Sequence, residues 1–155
     1  MFGKIIFRRY LALIFLALAL SLALTNPLSA QFNLANIPPE RLAEEGPLTQ
    51  KDIDFYLGFT QFFTETLEKN AANSEFDLDK AAHDYILAQN YQAPRFRYLW
   101  EKVMMLSLIT IMGDEAFGAD RPAYLNYTEA EKQLIKDNLN KIGPAIANLN
   151  SKLGN

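Results

Sequence analysis

The chain has 155 residues, half of them hydrophobic and about a fifth charged, a composition for one folded domain rather than two domains or a disordered chain. Lys4, Arg8 and Arg9 are the only charges in the first thirty residues, so twelve of the fifteen basic residues face all eighteen acids downstream, a net of −6. That excess argues against a nucleic-acid partner, which needs clustered Lys and Arg, and the lack of cysteine excludes disulfides, thiol catalysis and thiolate metal sites.

Residues 1–30 have the layout of a secretory signal peptide. A basic segment ends at Arg9, an apolar run follows from Tyr10 to Leu24, and the polar break Thr25-Asn26-Pro27 leads to Leu28-Ser29-Ala30. The run is about 15 residues, short of the roughly 20 that span a bilayer. Cleavage after Ala30 would start the mature chain at Gln31 and place it in the periplasm or outside the cell, with no stable membrane span. An uncleaved anchor is the rival reading.

Residues 31–47 read as an extended lead with at most one short helix, because Pro38-Pro39 forces extension before it and Gly46-Pro47 stops it. Residues 48–155 read as a single helical domain in which four segments stand out. The first is opened by Thr49 with Asp52, a variant of the capping box. It carries Ile53, Tyr56, Phe59, Phe63 and Leu67 at helical steps of three and four. The second, capped by Asp77, places Leu78, Ala82, Tyr85 and Ile86 on one side.

The third segment runs from Pro94, a favoured first helical position, to Gly113, a favoured terminator. Between Val103 and Met112 it holds no charge, and Ser107 and Thr110 are its only polar residues. That run spans only about 15 Å as helix, half a bilayer. A helix apolar nearly all round is the centre of a core, and both hydroxyls can bond back to carbonyls of their own helix. The fourth segment opens at Thr128, with Glu131 completing a capping box. It carries Leu134, Ile135, Leu139 and Ile142, and Asp137 is spaced to pair with Lys141. Gly143-Pro144 should kink or split it, and Ile146, Leu149 and Leu153 continue the stripe. The expected fold is all-α, a small four-helix bundle-like domain after an N-terminal signal peptide.

Residues for chemistry are scarce. His83 is the only histidine, and with Asp79 and Asp84 from the same helix it makes an incomplete metal shell, so it reads as a solvent-exposed His–Asp neighbour pair. Met104, Met105 and Met112 read as core filler rather than copper ligands. No metal or cofactor is expected. Asp114, Glu115 and Asp120 near a helix end leave a carboxylate-only enzyme as one alternative, and a structural envelope component is another.

The stretch "PRFRYLW" interleaves Arg95 and Arg97 with Phe96, Tyr98 and Trp100. On an acidic body this is a poor base-stacking platform; Arg97 is spaced to pair with Glu101, and a small anionic site at the helix start stays open. The leading expectation is an exported, non-enzymatic protein that binds a protein partner or a small apolar ligand. Its candidate site is the aromatic-rich face with Phe59, Phe63, Arg95, Arg97, Tyr98 and Trp100, against the alternative that these rings fill the core.

Overall fold

In a computed structural model, residues 37–73, 75–114 and 122–153 are described. The expected signal peptide, the first part of the lead, and the acids Glu115 and Asp120 lie outside them. The described chain is all-helical, with no strand among these residues. Five α-helices follow one another: α1 (Pro39–Ala43), α2 (Gln50–Asn70), α3 (Leu78–Ala88), α4 (Ala93–Met112) and α5 (Glu129–Leu153), with a 3-10 turn at Ala123–Leu125 before α5.

The start signals operate as the residue types dictate. At α2, the Thr49 N–H donates to Asp52 Oδ2 at 2.8 Å, and the Thr49 hydroxyl accepts from the Asp52 N–H. Thr128 and Glu131 make the same reciprocal pair at α5. Asp77 accepts from the Lys80 N–H at α3. Each arrangement satisfies backbone donors that a helix start otherwise leaves orphaned.

The exit from α3 is a Schellman turn. Asn90 adopts φ 59°, the Asn90 N–H donates to the Leu87 carbonyl, and the Tyr91 N–H reaches back to Ile86. The turn sends Tyr91 under α2, where it stacks on Phe55 at 3.8 Å between ring centres.

Helices α2 and α5 run parallel and pack most extensively on each other. Gln50 and Asn138 exchange amide hydrogen bonds at one end, and Glu68 pairs with Lys152 at the other. Helix α4 packs against both. From Val103 to Ile109 every side chain of α4 is buried, so this part of the apolar run is core wall, whereas Met112, expected as core filler, ends the helix 47% exposed. Of its two hydroxyls, Thr110 bonds to the Leu106 carbonyl, whereas the buried Ser107 Oγ has no partner among the described residues. Gly58 faces α3: a Cβ there would stand 3.0 Å from the Tyr85 hydroxyl, so a glycine permits the close α2–α3 approach.

The expected break at Gly143-Pro144 does not split the last helix, which continues to Leu153. Two physical reasons account for this. Gly143 has no Cβ to meet the proline ring, which removes the usual clash with the residue before proline. Ile142, Ile146 and Leu149 are buried on both sides of the pair, so packing holds the backbone through it, while Pro144 itself is exposed. Asp137 accepts from Gln133 rather than making the spaced Lys141 pair. Pro144→Ala restores an N–H for the Asn140 carbonyl and should raise stability by roughly 1–3 kcal/mol in urea unfolding. A decrease would show that the proline shapes a bend on which the packing depends.

Candidate functional site

Helical periodicity separates the arginines and rings of "PRFRYLW" into three groups. Phe96 and Trp100 turn inward to meet α2. Phe59 lies among them, with ring centres 5.0 Å from Phe96, 5.6 Å from Phe63 and 6.0 Å from Trp100, and Tyr85 of α3 completes the cluster at 6.0 Å. Phe59, Phe63 and Trp100 are at most 7% exposed. These three candidate residues are core, and the buried Trp100 indole N–H has no partner among the described residues.

Arg95 and Tyr98 belong to a second stripe, which Lys102 extends by one more turn. Tyr98 lies between two cations, with the Arg95 guanidinium 5.3 Å and the Lys102 ammonium 4.8 Å from its ring centre. Each cation holds the acid of one capping box. Arg95 donates from Nη2 to Asp52 Oδ2 at 2.6 Å and from Nε to Asp52 Oδ1 at 3.2 Å. Lys102 meets Glu131 at 2.6 Å, both side chains at most 4% exposed, and also donates to the Tyr98 hydroxyl. Glu131 Oε1 in addition accepts the Leu48 N–H at 2.9 Å, and Tyr91 donates its hydroxyl to Asp52. One stripe of α4 thus clamps the N-termini of both α2 and α5.

The electrostatics follow from this geometry. Burial acts against the charged form of Glu131, but hydrogen bonds from Lys102, Leu48 and Thr128, with the Lys102 charge, together hold its pKa below the ordinary value. Asp52 is likewise opposed by burial, yet its bonds to Arg95 and Thr49 carry its pKa down.

Arg97 forms the third group. It donates from Nε to Glu101 at 2.8 Å, as its spacing predicts, and from Nη1 to the Ile37 carbonyl at 3.1 Å. Glu101 also accepts from the Tyr124 hydroxyl. Sequence reasoning did not place Asp52, Tyr91, Lys102 or Glu131 at one site. The available signal was Lys102 at the i+4 position from Tyr98 and i+7 from Arg95, together with the two Thr-x-x-acid boxes.

A separate concavity lies on the α2–α5 seam. It encloses about 280 Å³ and is lined by Leu57, Thr60, Gln61, Thr64, Lys141, Ala145 and Asn148. Thr60 and Thr64 donate their hydroxyls to the carbonyls one turn earlier in α2, which leaves hydroxyl lone pairs and methyl groups as the chemistry they offer.

Among the described residues, no three His, Cys, Asp or Glu side chains come together as a metal shell. His83 lies 3.7 Å from Asp84 at the surface, and Asp114 pairs with Lys132 at 3.0 Å. No helix of the described residues is long and apolar enough to cross a membrane. Compared with known proteins, the chain matches no family model, no curated protein and no solved structure.

Proposed function

We propose that this is an exported, non-enzymatic helical protein, released from its leader between Ala30 and Gln31, that binds a protein partner or a small apolar ligand on a bundle-like scaffold. Export rests on the basic, apolar and polar order of residues 1–30. The observation that carries the binding reading is the concavity on the α2–α5 seam. It combines apolar Leu57 and Ala145 with a few polar groups, Gln61, Lys141 and Asn148 at its rim, the mixture that fixes orientation in ligand sites. The buried carboxylates among the described residues, Asp52 and Glu131, are engaged as caps and ion pairs.

Native mass spectrometry of protein purified from its own host tests both halves of the proposal. The expected mass is that of a chain starting at Gln31 plus a retained ligand or partner. Ala145→Phe, which fills the groove without entering the core, should abolish the added mass and leave Trp100 emission unchanged. A full-length chain held in the membrane would overturn export, and a bare chain under gentle ionisation would overturn binding.

A further inference from the structure

The segment between the lead and α2 is held differently from the rest of the protein. Of residues 37–48, only Leu42 and Leu48 are buried; Ile37 and Glu45 are half-buried, and the others are exposed. Helix α1 has five residues and no side-chain cap, too short to be stable on its own. Pro38-Pro39 and Gly46-Pro47 bracket it, and their three prolines lack backbone donors. It touches α4 and the 3-10 turn, and the segment joins the core, whose rings come from α2, α3 and α4, through Leu42 and Leu48.

Leu42 and Leu48 reach the core cluster, and the rest of its fastening is charge to backbone. Arg97 Nη1 donates to the Ile37 carbonyl; Arg95 Nη1 donates to the Gly46 carbonyl at 2.6 Å, and Nη2 to Pro47 at 3.1 Å. Glu131 accepts the Leu48 N–H. Each arginine therefore works in two directions. Arg95 binds Asp52 and Arg97 binds Glu101 within the body, and remaining N–H donors hold the segment. Those body pairs need not break when the segment leaves. They keep both guanidinium groups aimed at the same place.

We infer that residues 37–48 form a detachable strap, which opens without unfolding α2–α5 and uncovers a slot for a leucine-bearing peptide segment of another protein. The slot is the Leu42 seat between α4 and the 3-10 turn, and Arg95 and Arg97 supply donors for the incoming backbone carbonyls. The strap is then a competitor in cis. A peptide binds only the open fraction, so its apparent affinity falls by that fraction. Opening of this kind belongs to segments with few buried apolar contacts. The inference deepens the protein-binding reading but uses a different surface from the α2–α5 groove, so the two fail separately.

The test uses the full chain. In native-state hydrogen exchange at low denaturant, amides of residues 37–48 should exchange through an opening that precedes global unfolding, ahead of those in α2, α4 and α5. Leu42→Asp, which cannot seat a carboxylate in the slot, should bind a labelled peptide of residues 37–49 (IPPERLAEEGPLT) at least about tenfold more tightly than the unaltered protein does. Adding Arg97→Gln should weaken that binding, and Ala145→Phe should leave it unchanged. Strap amides that exchange only with the core overturn the inference, and this reading stands even where Leu42→Asp does not fold. A folded Leu42→Asp chain, shown by native Trp100 emission, that ignores the peptide overturns it as well.

Discussion

Phe59→Ala is expected to lower the unfolding free energy by about 3–5 kcal/mol, the range for truncating a buried phenylalanine. Phe59 is fully buried and meets rings from three helices: Phe55 and Phe63 on α2, Tyr85 on α3, and Phe96 and Trp100 on α4. Rings held by contacts to one another collapse poorly into a void, so the cavity contribution should be retained in full. Denaturant midpoints followed through Trp100 emission measure the loss directly, because Trp100 is the single tryptophan and borders the cavity. Leu87→Ala serves as the control. Leu87 is 43% exposed and should change stability by no more than about 0.5 kcal/mol. A Phe59 effect below about 1 kcal/mol would mean that these rings do not form the centre of the core.

The same rings show where sequence reading stops. Steps of three and four from Ile53 to Leu67 correctly put Phe59 and Phe63 on an inward face, and the Thr49, Asp77, Pro94 and Thr128 signals placed the helix starts. Periodicity says that a ring points inward; it does not say whether other rings close over it. Tyr91 illustrates the gap, since it reaches Phe55 only through the positive-φ turn at Asn90. The ionic stripe was hidden for a related reason. Lys102 directly precedes the uncharged run and Glu131 completes a capping box, and neither position announces the other. Their pairing depends on how α4 crosses the start of α5, a tertiary fact with no local pattern. Leu42, which reads as part of the lead, is likewise buried by partners distant in sequence.

That stripe also sets the second large effect. Lys102→Met is expected to cost about 3–5 kcal/mol at pH 7, because it leaves the Glu131 carboxylate buried without its cation. Removing both charges, as Lys102→Met with Glu131→Gln, should recover part of that loss: no buried charge remains, although the single amide oxygen can accept from only one of the two N–H groups, Leu48 or Thr128, that the two carboxylate oxygens now serve. The pH dependence separates this account from one of lost packing. In the unaltered protein the Glu131 pKa is held below its ordinary value of 4.5, so the pair's contribution is fully present above about pH 4.5 and is lost as pH falls through the folded-state value. Asp52, held below 3.8 by Arg95 and Thr49, adds to the same acid limb. In Lys102→Met the cation that lowered the Glu131 pKa is gone and burial still acts on it, so protonation in acid relieves the buried charge. The stability gap between the two proteins should therefore narrow steadily as urea unfolding is repeated from pH 7 down to pH 3. A gap that stays constant would assign the loss to packing around the Lys102 stem, and one that widens in acid would show that Glu131 is not the group left unpaired.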